Sequence, residues 1–175
     1  YVDEHGISLY DYVLENEGDD FDHFLSDILG AMFESVENGL KKEGVIQGKL
    51  KLKRVAKSMF QQAQNTRREA DRERLFISSY AYAVSEENAD GGQIVTAPTC
   101  GASGIMPAIL YYCYKQLHIE KKDLIKALAI GGLFGNVVKT NGTISGADGG
   151  CQAEVGTACA MAAATMAWIY ELNNS

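Results

Sequence analysis

The chain has 175 residues, of which 46% are hydrophobic and 22% are charged, and its formal net charge is −7 at pH 7. This composition is that of a single globular domain, and it excludes disordered and collagen-like chains. Because 23 acidic residues outnumber 16 Lys and Arg, the chain lacks the positive field that binds phosphate groups, and we expect neither nucleic acid nor an anionic membrane surface as a partner.

Amphipathic helices are predicted for the first ninety residues. Apolar residues recur every three or four positions on one face of residues 21–40, and Gly44 follows as a stop signal. These apolar residues are Phe21, Phe24, Leu25, Ile28, Leu29, Met32, Val36 and Leu40. A second, more basic helix is predicted over residues 52–63, and Asp71 is suited to cap a third. The basic residues of 41–57 are interpreted as a solvated face.

Glycine is concentrated in the second half of the chain, where 12 of the 18 glycines lie between Gly91 and Gly156. They form two Gly-rich segments, 91–104 with the sequence GGQIVTAPTCGASG and 139–156 with the sequence KTNGTISGADGGCQAEVG. Such a density of glycine indicates that the backbone approaches another element or a ligand closely. Since each segment runs into an apolar, helix-forming stretch, we predict two Gly-rich loops at helix N-termini.

Three further helices are predicted in this half of the chain: one with Pro107 in its first turn, one over residues 123–138 and one over residues 151–172. Small residues of the middle helix permit close helix crossings; they are Ala129, Gly131, Gly132 and Gly135. Only three charged side chains occur in 127–170, so we expect this stretch to be largely buried. No alternating strand pattern is present, and the predicted class is all-α, with residues 1–175 forming one compact helical domain.

Small polar side chains in both Gly-rich segments indicate a site for a polar or anionic ligand. Helix N-termini present unpaired N–H groups and a partial positive charge, which stabilise carboxylates, phosphates and thiolates. Five side chains are candidates to hold a ligand there by hydrogen bonds: Thr96, Thr99, Ser103, Asn141 and Ser145. The alternative is that they only cap helices and form turns. Neither segment has the GxxxxGK[ST] or GxGxxG pattern of nucleotide-binding loops.

The four cysteines are Cys100, Cys113, Cys151 and Cys159, and they form no CxxC pair and have no histidine at zinc-ligand spacing. A closed zinc site is therefore not expected. Cys113 and Cys159 lie among apolar neighbours and are interpreted as core residues. Cys151 lies at a predicted helix start, which favours the thiolate form, so it is a candidate ligand or nucleophile.

The sequence also predicts a cellular location. Four cysteines are too few for a disulfide scaffold in a chain of this length, and the first residues, YVDEHGISLYD, lack the basic and apolar regions of a signal peptide. The apolar runs of residues 127–170 are shorter than the ~20 residues that span a bilayer. We therefore expect a cytoplasmic protein without a membrane span.

The two Gly-rich segments and the helices after them carry a family resemblance. GGQIVTAPTCGASGIMPAILYY and KTNGTISGADGGCQAEVGTACAMAAA closely resemble the catalytic α chain, or α domain, of the iron–sulfur-dependent L-serine dehydratases. SLYDYVLENE, ESVENGLKKEGVIQGKLKLKR and YAYAVSEENADGG are similar to the N-terminal helices of that family. The resemblance implies an all-α lyase with a [4Fe–4S] cluster that converts L-serine to pyruvate and ammonia in amino-acid degradation and gluconeogenesis. It also implies a homo- or hetero-oligomer, with a β subunit or a regulatory domain as partner.

The same resemblance implies roles for the cysteines. Cys151 in GGCQ matches the first of three cysteine ligands of the family's cluster. The other two belong to a TCDP-like motif and to a later cysteine, and neither occurs before Ser175. We therefore predict that the chain is truncated at its C-terminus. This fragment by itself is expected to lack the cluster and the activity, unless Cys100 or a partner chain supplies further ligands. Cys100 stands where the family commonly has Asn, in TAPTNGA, and its role stays open.

The implied mechanism is β-elimination, in which the ligand-free iron of the cluster binds the substrate hydroxyl as a Lewis acid and a base removes the α-proton. The ionisable candidates beside the Gly-rich segments are Lys139, Asp148 and Glu154. Lys139 is the preferred base, because a buried Lys gives up its proton readily. Its alternative roles are to bind the substrate carboxylate or to complement a helix dipole. Two other hypotheses remain open: a lyase of the same fold that acts on L-cysteine or another small β-substituted amino acid, and a cluster-free helical domain that binds a small carboxylate or a partner subunit.

Overall fold

A computed structural model describes residues 1–18 and 20–171. Eight α-helices and one 3₁₀ turn form the described part of the chain: α1 Val2–His5, α2 Leu9–Glu17, α3 Phe21–Lys41, α4 Ala56–Asn65, α5 Glu69–Ala89, the 3₁₀ turn Cys100–Ala102, α6 Ile105–Lys115, α7 Lys121–Asn141 and α8 Gly146–Ile169. Within these residues, β structure is limited to one isolated bridge between Val45 and Lys53. The predicted all-α class is confirmed.

Helix α5 lies at the centre of the N-terminal half and packs against α3, α4 and α6, while α7 and α8 pack along each other. The apolar face predicted for residues 21–40 is the face of α3 that enters the core, where Leu25, Leu29, Met32 and Val36 are buried. The exception is Phe24, which is 57% exposed. Helix periodicity therefore predicted the buried face of α3 correctly at all but one edge position.

Two predicted helix starts are wrong by a few residues. Helix α4 begins at Ala56 and not near residue 52, because residues 42–55 form an irregular connection in which Leu52 is exposed. Helix α5 begins at Glu69, with Arg68 in the N-cap position and no side-chain cap. Asp71 therefore does not cap this helix; it lies in the first turn, where its charge complements the helix dipole. Leu172, the predicted last residue of the final helix, lies outside the described residues.

Glycines permit the closest helix contacts, as the sequence predicted for α7. A Cβ placed at Gly131 would lie 2.6 Å from Thr165 Oγ1, and one at Gly135 would lie 2.9 Å from Met161 Sδ, so α7 and α8 approach each other at these positions. A second close contact joins α3 to α5, where a Cβ at Gly39 would lie 2.7 Å from the Cα of Ala83 and closer still to its carbonyl carbon and oxygen. No backbone atom can move away at so short a distance without shifting a helix.

The prediction that residues 127–170 are largely buried is only partly correct. Residues 127–131 of α7 are buried, but Phe134, Val137 and Val155 are 40%, 50% and 43% exposed. The reason is that α8 covers one side of α7, so the opposite side of each helix faces solvent beyond the core.

The two cysteines that the sequence assigned to the core differ in their burial. Cys113 is buried, and burial raises the pKa of its thiol to about 11, whereas Cys159 is exposed.

Charged side chains meet in a buried cluster at the C-terminal end of α5. For Arg54 this corrects the interpretation of residues 41–57 as a solvated face, while four lysines of that stretch are exposed as predicted. Arg54 is 8% exposed, and its Nη1 atom lies 3.4 Å from Glu87 Oε1 and 3.7 Å from Glu86 Oε2. Its Nη2 atom lies 2.6 Å from Asp90 Oδ2, and Lys42 Nζ lies 2.7 Å from Glu87 Oε1. Buried charges are tolerated only when they are paired in this way.

None of the helices of residues 1–18 and 20–171 combines the length and the apolar character of a transmembrane span.

The α3–α5 contact can be tested with a pair of glycine substitutions on one helix. We expect Gly39→Ala to lower the free energy of unfolding by roughly 1–3 kcal/mol, because the new methyl group overlaps the backbone of Ala83. Gly30→Ala, where a Cβ meets nothing within 4 Å, is the control and should raise stability by up to about 1 kcal/mol through helix propensity. Urea unfolding followed by circular dichroism measures both; equal stability of the two variants would contradict the close contact.

The buried charge cluster predicts a large effect of one arginine. We expect Arg54→Ala to lower the free energy of unfolding by about 3–5 kcal/mol, because Glu86 and Glu87 remain buried without the guanidinium group. Arg74→Ala is the matched control, since Arg74 pairs with Asp71 on the exposed surface of α5, and it should cost less than about 1 kcal/mol. The same urea titration measures both variants, and a loss for Arg54→Ala as small as that of the control would refute the buried pairing.

Candidate functional site

The first Gly-rich segment, residues 91–104, is held against the end of α5. A Cβ at Gly92 would lie 2.7 Å from Glu87 Oε2, so this glycine lets the chain pass directly over a carboxylate of the buried charge cluster. Residues 92–99 have no regular secondary structure. At the 3₁₀ turn, the carbonyl oxygen of Cys100 accepts hydrogen bonds from Asn88 Nδ2 at 3.1 Å and from Ser103 Oγ at 2.8 Å. The end of α5 and the start of α6 therefore fix the position of Cys100.

The three predicted ligand-binding residues of this segment differ in their surroundings. Ser103 is 1% exposed and its hydroxyl donates to the backbone of Cys100, so its observed role is structural. Thr96 is exposed, with Oγ1 3.8 Å from Cys100 Sγ. Thr99 Oγ1 is buried and finds no hydrogen-bond partner among the described residues. A buried hydroxyl without a partner is costly, so Thr99 is the member of this group that most needs a ligand or a bound water.

The second Gly-rich segment, residues 139–156, is mostly helical and not the loop that the sequence predicted. Helix α7 continues to Asn141, and α8 begins at Gly146, so the connection is limited to residues 142–145. Ser145 caps α8, its Oγ accepting from the N–H of Ala147 at 3.2 Å. Thr143 Oγ1 accepts from the N–H of Ser145 at 3.0 Å. Residues 142–145 do lie at the N-terminus of a helix, as the sequence predicted. Ser145 caps that helix, which is the role given above as the alternative to ligand binding.

Helix α8 is interrupted near its start. Gly150 has φ 72° and ψ 179°, which is not helical and which favours glycine, so a short first turn precedes the main part of the helix. Cys151 is the first residue after this break and is exposed. The structure therefore places Cys151 at a helix start, as the sequence predicted, with its thiol accessible.

Lys139 and Asn141 both lie at the C-terminal end of α7 and are exposed. Asn141 Nδ2 donates to the carbonyl oxygen of Val137 at 2.9 Å, within its own helix. Lys139 was preferred as a base because it was expected to be buried, and the described residues do not bury it. Its position in the last turn of α7 agrees with the alternative role of complementing the helix dipole. The catalytic role of Lys139 and the binding role of Asn141 stay predictions.

Glu154 is the side chain that brings the two Gly-rich segments together. A Cβ at Gly101 would lie 3.0 Å from Glu154 Oε2, and a Cβ at Gly146 would lie 2.9 Å from the same oxygen. The carboxylate thus lies against the 3₁₀ turn of the first segment and the start of α8 in the second. The sequence named Glu154 only as one of three ionisable candidates for the base, behind Lys139, and predicted neither its contact with both segments nor a binding role, although it lies three positions after Cys151.

The cysteines are the residues of this chain with the donor chemistry of an iron–sulfur cluster ligand. [4Fe–4S] clusters are held by several cysteine thiolates, and in the described ranges no group of three or more His, Cys, Asp or Glu side chains could hold a metal ion. Cys100 and Cys151 are both free and exposed. The donor chemistry of Cys151 fits one ligand of such a cluster, and the described residues do not complete a ligand set.

Comparisons with known proteins identify the family of the chain. The family model described as serine dehydratase alpha chain matches residues 4–175. The L-serine dehydratase of Streptomyces coelicolor is 41% identical over 94% of this chain and 37% of its own length. That of Haemophilus influenzae is 39% identical over 97% of the chain and 39% of its length, and L-serine dehydratase 2 of Escherichia coli is 38% identical over 95% and 39%.

The range that the family model matches, residues 4–175, spans both Gly-rich segments. The chain spans less than two fifths of the length of each of these three relatives. Because the family model covers far more than half of the residues, the resemblance that the Gly-rich segments carried is confirmed: the chain belongs to the serine dehydratase alpha chain family.

Proposed function

We propose that this chain forms part of the active site of an L-serine ammonia-lyase, a lyase that converts L-serine to pyruvate and ammonia. The observation that carries the proposal is the meeting of two Gly-rich segments at Glu154, one helical turn from an exposed cysteine, in a chain whose family match spans both segments. The names of the similar proteins support L-serine as the substrate.

The reaction is a β-elimination. Removal of the α-proton and departure of the β-hydroxyl from L-serine produce 2-aminoacrylate and water, and tautomerisation and hydrolysis of 2-aminoacrylate then produce pyruvate and ammonia. A bound [4Fe–4S] cluster would supply a Lewis acid for the hydroxyl group. Cys151 is proposed as one thiolate ligand, with the remaining ligands supplied from outside these 175 residues. Ligands from outside these residues agree with the finding that the chain spans less than two fifths of the length of its relatives.

The polar residues of the two segments are proposed to bind the rest of the substrate. Thr99, with its unpartnered hydroxyl, and Thr96, which is exposed, would donate to the substrate carboxylate, with Asn141 and Ser145 as further donors of the second segment. Lys139 has a proposed role as the base that takes the α-proton or as the cation that binds the carboxylate. Ser103 contributes by holding the backbone of Cys100.

The assembly and the location of the protein are also proposals. The name of the matching family, an alpha chain, supports a partner in the form of a β subunit or a regulatory domain, in a homo- or hetero-oligomer. The four cysteines are free, which favours a reducing cytoplasm. Pyruvate made from serine would link the enzyme to amino-acid degradation and gluconeogenesis.

Substrate use by the full-length protein tests this function. After anaerobic reconstitution with iron and sulfide, we expect pyruvate from L-serine, because the proposed β-elimination removes a hydroxyl group. L-Cysteine is the control substrate, since a lyase that acts on β-thiol amino acids would form pyruvate from it preferentially. Pyruvate from L-cysteine alone would favour that alternative, and a protein that binds no cluster and forms no pyruvate would favour the cluster-free binding domain.

The role of Cys151 is tested by a pair of cysteine variants on one helix. We expect Cys151→Ser to lower the iron content and the pyruvate formation of the full-length protein by at least about tenfold, by analogy with the loss of other metal-site residues. Cys159→Ser is the matched control, because Cys159 is also an exposed, free cysteine of α8. Iron analysis and the visible absorption of the cluster measure both, and equal iron contents in the two variants would remove Cys151 from the ligand set.

A further inference from the structure

The carboxylate of Glu154 occupies a notch between two glycines. Gly101 belongs to the 3₁₀ turn of the first Gly-rich segment, and Gly146 is the first residue of α8. A methyl group at Gly101 would lie 3.0 Å from Glu154 Oε2, and a methyl group at Gly146 would lie 2.9 Å from Oε2 and from Cδ. Both distances are shorter than an ordinary van der Waals contact. The position of this carboxylate therefore depends on glycine at both places.

Among the described residues, no Lys, Arg or His forms an ion pair with Glu154. Its side chain is half-buried, and within residues 1–18 and 20–171 it takes part in no ion pair. The contrast with the end of α5 is clear, since Glu86 and Glu87 are buried there against Arg54 and Lys42. Partial removal of a carboxylate from water is unfavourable unless a cation or a hydrogen-bond donor compensates it. A ligand that brings a cation or a hydrogen-bond donor to Glu154 would provide this compensation.

The residues beside Glu154 restrict the kind of ligand that could compensate its charge. The described residues beside Glu154 do not form a group of three metal-ligating side chains, so a metal ion held by this chain alone is not indicated. The first segment instead offers the unpartnered hydroxyl of Thr99, which can donate to a carboxylate or accept from an ammonium group. A small zwitterion, with one ammonium group and one carboxylate, has the two charges that such a site can bind.

We propose that Glu154 binds the α-ammonium group of the amino-acid substrate. The proposal rests on the proposed function and adds to it the residue that distinguishes an amino acid from a hydroxy acid. Holding the ammonium group between the two segments would set the rotation of the substrate about its α-carbon, so that the α-proton and the β-hydroxyl face different groups of the site. Glu154 would then be a binding residue that orients the substrate, with no proton transfer of its own.

The test compares two ligands that cannot lose water, so that binding is measured without turnover. L-Alanine carries the ammonium group and the carboxylate, and propanoate lacks only the ammonium group. Dissociation constants are measured by calorimetry with the full-length, cluster-loaded protein. For Glu154→Gln we expect a loss of L-alanine affinity of roughly 10- to 100-fold, the range for a hydrogen bond to a charged group. The affinity for propanoate should change by less than about twofold, because no contact to propanoate is lost.

Asp148→Asn is the matched control. It removes one negative charge from the first turn of α8, the helix that carries Glu154, and Asp148 is exposed there. The affinity for L-alanine should stay within about twofold, because long-range effects of exposed charges are screened. Gly146→Ala provides a second variant, in which the new methyl group displaces the Glu154 carboxylate. It should weaken L-alanine binding in the same direction as Glu154→Gln, and it decides the matter if circular dichroism shows that the glutamine variant is unfolded.

Two outcomes would overturn the inference. One is a wild-type protein that binds L-alanine no more tightly than propanoate, and the other is a folded Glu154→Gln or Gly146→Ala variant with an unchanged ratio of the two affinities. If the wild-type protein still forms pyruvate from L-serine, this failure leaves the proposed function intact. Conversely, a lost preference for L-alanine in the variants, together with no pyruvate from L-serine in the wild type, would support ammonium binding and reject the serine dehydratase activity.

Discussion

The buried charge cluster at the end of α5 is the interaction on which the arrangement of α3, α4, α5 and the first Gly-rich segment depends. Glu86 Oε1 accepts from the backbone N–H groups of Val55 at 2.6 Å and Ala56 at 3.1 Å, and so caps α4, which has no capping side chain of its own. Glu87 binds Lys42, which follows α3, and also binds Arg54. One helix turn thus joins the end of α3, the start of α4 and the chain that leaves α5.

The first Gly-rich segment of the candidate site contacts this last turn of α5. Gly92 crosses the carboxylate of Glu87, and Asn88 in the same turn of α5 holds the carbonyl oxygen of Cys100. The 3₁₀ turn that begins at Cys100 then packs against α8, where Glu154 contacts Gly101. A hydrogen bond from Asn88 to Cys100 and close contacts at Gly92 and Gly101 therefore connect the structural ion cluster to the proposed substrate-binding carboxylate. The carboxylates at the end of α5 are paired and stabilise the fold, whereas our proposal assigns Glu154, which has no ion pair among the described residues, to a ligand.

The errors of sequence-based prediction share a cause. Cys159 and Arg54 were assigned from their sequence neighbours, the cysteine to the core and the arginine to a solvated face, and each lies in the opposite environment. Charge scarcity in residues 127–170 predicted burial, but packing along one side of α7 leaves Phe134 and Val137 exposed. Local composition reports the average environment of a stretch, whereas the burial of one side chain depends on which distant element lies against it.

The amino-acid pattern alone was sufficient for the helical class, the buried face of α3, the close-packing glycines of α7, the position of Cys151 at a helix start and the family. Periodicity, helix-start residues and long motifs are local features, and they need no knowledge of neighbours. The cap of α4 by Glu86, the unpartnered hydroxyl of Thr99 and the notch that holds Glu154 emerge only in the folded chain. Each joins residues that are far apart in sequence, because hydrogen bonding, desolvation and steric contact act through distance in space.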